Sequence, residues 1–70
     1  MEKKLHQYSR SELEHFIREL VIGLNASRNR QIIRDKLFDG MTIPQIAEKH
    51  SLSETRVKTV LRTFKRKIGD

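Results

Sequence analysis

The sequence predicts an all-α domain of four helices, on three observations. Apolar residues recur at three- and four-residue steps in separate segments, helix-capping signals stand at the heads of those segments, and no run alternates apolar and polar residues as a half-buried strand would. Seventy residues, 36% of them hydrophobic, provide one small core, for which a net stability of about 3–5 kcal/mol is expected.

Residues 1–8 show no sustained periodicity and read as a short mobile tail, leaving 9–70 as a single domain. In Ser9-Arg10-Ser11-Glu12-Leu13-Glu14 two capping boxes overlap, Ser9 with Glu12 and Ser11 with Glu14, so the first helix begins at one of these serines. Leu13, Phe16, Ile17, Leu20, Val21 and Leu24 then form one apolar stripe, the strongest amphipathic segment in the chain. It reads as a scaffold helix that builds the core, with a dimerisation surface as the alternative. Gly23 and Asn25 are expected to end it, because both tolerate the left-handed conformation. Ser27 is expected to cap a second helix from Arg28 to Phe38. There Ile32, Ile33, Leu37 and Phe38 spread over more than one face and predict burial on two sides. Asp39-Gly40 closes that helix, and Met41 is expected to fold back onto the core.

The start of the third helix is the best specified. Thr42 caps it, Pro44 stands in the first turn where its missing N–H is harmless, and Gln45 follows the cap by three residues. Ile46 and Ala47 face inward, and the small alanine lets the next helix approach. After a break at His50-Ser51-Leu52-Ser53, Ser53 caps a last helix from Glu54 to about Lys67, with Val57, Val60, Leu61, Phe64 and Ile68 on its inner face. Its length of about 20 Å suits a DNA major groove. Two short helices around a tight bend, over residues 43–62, make a helix-turn-helix.

Charge points the same way. The chain carries a net +6 with a pI near 10.2, which implies an anionic partner. Residues 1–39 hold eight Lys/Arg against six Asp/Glu, residues 40–70 hold seven against three, and between Thr55 and Lys67 there are six basic residues and no acidic one. The excess therefore lies on the last helix. With no cysteine there is no disulfide framework or thiolate metal site. No signal-peptide pattern opens the chain and no run approaches about 20 apolar residues, so a cytoplasmic protein without membrane contact is expected. His6, His15 and His50 are scattered, no metal-ligand spacing appears on a suitable face, His15 beside Glu12 and Glu19 reads as a solvated helix face and not as a ligand set, and no glycine-rich phosphate loop is present. An enzyme, a cofactor and a metal are not expected.

The stretch MTIPQIAEKHSLSETRVKTV resembles the DNA-reading C-terminal domain, region four, of bacterial sigma-70-family sigma factors. The matching elements are Met41-Thr42, Ile46-Ala47-Glu48 and Ser53-Glu54-Thr55-Arg56-Val57-Lys58. Extended through Lys65-Arg66-Lys67-Ile68-Gly69, it is also similar to the LuxR-type output domain of transcription regulators. The resemblance covers residues 40–68 and implies a tetrahelical helix-turn-helix domain of bacterial or phage origin. In the sigma family the early polar positions of the recognition helix reach bases and phosphates; here those are Glu54, Thr55, Arg56, Lys58 and Thr59. Glu54 replaces the usual arginine and Thr59 the usual glutamine, which implies a target other than the ordinary promoter element. Ser51 replaces a common glycine and His50 a usually apolar residue, so a slightly remodelled turn is expected. The length leaves no room for the second domain a sigma factor needs, which implies a stand-alone regulator.

These readings converge on a sequence-specific, double-stranded DNA-binding transcriptional regulator. Arg56 is suited to guanine, with Thr55, Lys58 and Thr59 beside it and Glu54 able to accept from cytosine or to stabilise the helix dipole. Lys49, Arg62, Lys65 and Arg66 are the phosphate-positioning candidates. The alternative is an interaction module that docks on RNA polymerase, a sigma factor or another regulator, or an RNA-binding protein. A homodimer is an open expectation, since a lone helix-turn-helix reads only about four or five base pairs.

Overall fold

The computed structural model describes residues 7–69, and they form four helices and no strand: α1 (Arg10–Leu20), α2 (Ala26–Leu37), α3 (Ile43–His50) and α4 (Glu54–Lys67). The first six residues of the expected tail lie outside the described residues. Tyr8 is placed, its ring edge-on to Phe16 with centroids 5.1 Å apart, so packing begins just ahead of the first helix.

Of the two overlapping boxes, the chain uses Ser9 with Glu12: the Glu12 amide donates to Ser9 Oγ at 3.1 Å and the Ser9 amide donates to Glu12 Oε1 at 2.9 Å. Glu14 is thereby left for a tertiary role. Arg34 of α2 donates to both its oxygens, Nε to Oε1 at 2.9 Å and a terminal nitrogen to Oε2 at 2.9 Å. That hydrogen bond is the largest influence on the Glu14 carboxyl and, with the lesser pull of the Arg34, Arg18 and Arg10 charges, holds it below its ordinary value against the opposing effect of burial.

The stop of α1 differs from expectation. The helix ends at Leu20, and Val21 is already extended at φ −94° and ψ 97°. No glycine cap is needed, because the last carbonyls find distant donors: Arg30 donates to the Leu20-proximal Arg18 oxygen at 3.2 Å, and Lys67 Nζ donates to the Leu20 oxygen at 2.8 Å. Once the helical register is broken Leu24 leaves the apolar stripe, and it is fully exposed rather than buried, with Ile22 70% exposed beside it. The second helix also starts earlier than expected. Asn25 takes the cap position without a side-chain hydrogen bond, and Ser27 is an exposed first-turn residue.

α2 is buried on two sides, as its pattern predicts. Ile33 joins Ile17, Val21, Phe64 and Ile68 in one cluster, while its neighbour Ile32 joins Ile46, Ala47 and Val57 in the other. Val60 and Leu61 of α4 touch both clusters. α4 thus packs on all three other helices and its position is fixed by two half-cores. Met41 folds back as expected, its amide donating to the Asp35 backbone carbonyl at 3.0 Å and its side chain packing on the Ile32 cluster.

α3 carries the full capping box between Thr42 and Gln45, with Pro44 in its first turn. It ends on Ser51, which adopts the left-handed conformation at φ 56° and ψ 44°. The turn therefore keeps the geometry a glycine would give, with a side chain that resists it. A Ser51→Gly substitution is expected to stabilise the domain by about 0.5–1 kcal/mol, the relief of left-handed strain less the added chain entropy. A thermal melt raised by a few degrees would show this; an unchanged or lowered melt would contradict it.

Candidate nucleic-acid interface

The helix-turn-helix is built from α3, the left-handed turn and α4. Ser53 Oγ accepts from the Arg56 amide at 3.1 Å, which fixes where α4 begins. Val57 and Phe64 are buried along its inner face, with Ile68 just beyond its end. Thr55, Thr59, Arg62 and Arg66 recur at steps of four, three and four, so they stand on the opposite, outward face. Every residue expected to meet bases, Glu54, Thr55, Arg56, Lys58 and Thr59, is exposed, and so are Arg62, Lys65 and Arg66.

The two flanks of α4 differ. Arg56, Thr59, Thr63 and Lys67 border a small cavity of about 200 Å³ against Val21, Ile22 and Asn29. Lys58, Arg62, Lys65 and Arg66 border a larger cleft on the other side, against the α2–α3 corner. Among the described residues, none of the basic side chains of α4 lies within ion-pair distance of a carboxylate. Apart from Lys67, their charge is directed to solvent and available to an anion.

Thr59 Oγ1 donates to the Thr55 carbonyl at 3.0 Å. Its hydroxyl hydrogen is committed to the helix, so toward a groove this threonine offers lone pairs and a methyl group, the latter a partner for the thymine methyl. Lys67, counted by sequence within the basic cluster, is instead tied to the end of α1.

Lys49 differs from the other phosphate candidates. Its Nζ lies 2.9 Å from Oδ1 of Asp35, a fully buried residue of α2, so its charge is already paired, although its side chain is 43% exposed. His50 Nε2 lies 2.8 Å from the other Asp35 oxygen, and Gln31 Nε2 donates to Oδ1 at 2.9 Å. Burial pushes the Asp35 carboxyl up, but hydrogen bonds from His50, Lys49 and Gln31 and the lysine charge together outweigh it and leave the group below its ordinary value. An ionised carboxylate only accepts, so His50 must present its Nε2 hydrogen. The histidine at a usually apolar position is thus one half of a polar clamp between α2 and the end of α3.

Sequence reasoning passed over Asp35. The available signal was its spacing: it stands three residues after Ile32, on the same helix face, so an acid was being placed where the neighbouring turn is buried. The His50 departure was the other half of that signal.

Among the described residues no group of acidic, histidine or cysteine side chains could hold a metal ion, and no helix is long and apolar enough to cross a membrane. Comparison of the chain with protein-family models, curated proteins and solved structures found no match.

Proposed function

We propose that the protein is a transcriptional regulator that binds double-stranded DNA sequence-specifically, with α4 inserted into the major groove. The observation that carries this reading is the division of α4 into one face anchored in both half-cores and another bearing unpaired Arg and Lys among short hydroxyl side chains. Rigid support and outward cations are what a groove-reading helix requires.

Arg56 and Lys58, in the first turns with Thr55, Thr59 and Glu54, read base edges. Arg62, Lys65 and Arg66 neutralise phosphates farther along. Lys49 still has two Nζ hydrogens beyond the one given to Asp35 and contributes as an oriented donor more than as a free charge.

The test is fluorescence anisotropy with a duplex selected from a random pool, a random duplex and single-stranded RNA. Arg56→Ala is expected to level the preference for the selected duplex over the random one, by about 1–3 kcal/mol. Lys65→Ala is expected to weaken both duplexes alike and to lower the salt slope by about one. Tighter binding of RNA than of either duplex, or identical behaviour of the two variants, would refute the proposal.

A further inference from the structure

The larger cleft beside α4 has a feature that phosphate binding does not use. Its floor is apolar, formed by Leu37 at the end of α2, Ile43 at the start of α3, and Leu61 and Phe64 of α4. Its rim is cationic, formed by Lys36, Lys58, Arg62, Lys65 and Arg66. The cleft has a volume of about 520 Å³ and lies at the surface between α2, α3 and α4. A DNA backbone would engage the rim and leave the floor wet.

A small ligand normally has most of its surface enclosed by its site, which a surface cleft between helices does not achieve. An amphipathic helix laid along such a cleft covers the floor with one stripe and leaves its polar face outside, in the helix-in-groove mode. The rim fixes the chemistry of that polar flank. Among the described residues no carboxylate pairs with any of the rim's cations, so carboxylates along the edges of the incoming stripe would meet complementary charge on both sides.

We propose that this cleft is a docking site for an acidic amphipathic helix of a partner protein, and that the docked helix excludes DNA. Exclusion follows from shared residues, since Lys58, Arg62, Lys65 and Arg66 serve both the rim and the candidate DNA face. Only the exclusion rests on the duplex-binding reading; docking itself does not.

The probe is a fluorescent peptide of about four helical turns with Leu and Phe at i, i+3, i+4 and i+7 and Glu on its remaining faces. A second peptide has the same composition with the apolar residues dispersed around the helix. At about 0.15 M salt the first is expected to bind saturably at one per chain, and the dispersed peptide at least roughly tenfold more weakly. Amide NMR shifts should move at Leu37, Ile43 and Leu61. The exposed double variant Lys58→Glu/Lys65→Glu is expected to lose roughly tenfold or more in peptide affinity with an unchanged thermal melt. Ile43→Ser should weaken the patterned peptide and leave the dispersed one as it was. Equal binding of the two peptides, shifts confined to other surfaces, or full affinity in the double variant would overturn the docking site. Unlabelled duplex is expected to displace the bound peptide. A ternary complex would overturn exclusion, and a chain that binds peptide but no duplex would refute the DNA reading while leaving the docking site in place.

Discussion

Asp35→Ala is expected to remove about 2–4 kcal/mol of stability, most of what a domain of this size has. The carboxylate is completely buried and accepts from Gln31, Lys49 and His50. Charged hydrogen bonds contribute about 1.5–3 kcal/mol each when intact, and truncation leaves their donors without a partner. Lys49 moderates the loss, since its exposed side chain can return to water, whereas His50 and Gln31 are held nearer the interior. Asp35→Asn keeps the shape and one acceptor oxygen and should cost less, about 1–2 kcal/mol. Urea denaturation followed by helical circular dichroism would measure both, and an alanine variant within about 0.5 kcal/mol of the parent would show that the clamp is dispensable.

The same group sets an acid limit. Because the Asp35 carboxyl sits below its ordinary value in the fold, the unfolded chain binds its proton more readily than the native one. Its stabilisation is therefore complete above the unfolded value near about 3.9 and is lost as pH falls through the lower folded value. Glu14 is shifted in the same direction by Arg34 and adds to the trend. In Asp35→Asn the slope of stability between about pH 5 and 2 should be shallower, leaving the part due to Glu14. An identical slope would place the acid sensitivity elsewhere.

Duplex affinity is expected to fall by about 10²- to 10³-fold between about 50 and 200 mM salt. That range follows from four to six neutralised phosphates, each contributing about 0.9 to the log–log slope. The cations of α4 that face solvent without a carboxylate partner can release condensed counterions, whereas Lys49 is partly neutralised by Asp35 before any DNA arrives. Arg62→Ala/Arg66→Ala should therefore lower the slope by about two, and Lys49→Ala by less than one. Lys49→Ala also removes the charge paired with a buried carboxylate and one of the two donors to its Oδ1, so its thermal melt should drop while those of the outward arginine variants do not. Absence of saturable binding at about 50 mM salt would end the duplex reading altogether.

Much of the molecule is readable from local signals. Thr42 with Gln45 and Pro44 marks the start of α3, and Ser53 marks the start of α4, because a cap is a hydrogen bond between residues three apart and needs nothing distant. The buried and outward faces of α4 follow from helical periodicity in the same way. Ser51 shows that a departure from the expected residue need not alter the backbone, since the packed helices on either side hold a serine in the left-handed turn. Ends fixed by distant partners were not readable. α1 stops at Leu20 and not at Gly23 because Arg30 and Lys67 cap its carbonyls from ten and more residues away in sequence, and that early stop is what exposes Leu24.

The sequence by itself determined four helices, a tight turn between the last two and a basic outer face on the last, because capping, periodicity and charge are properties of neighbouring residues. Tertiary structure decided which charges are free. Only when α2 and α3 pack does Asp35 meet Lys49 and His50, fourteen and fifteen positions away, and take Lys49 out of the pool of unpaired cations. Packing likewise brings Leu37, Ile43 and Leu61 from three helices to one floor beneath the basic rim. Pairings and clefts depend on distances through space, which spacing along the chain does not encode.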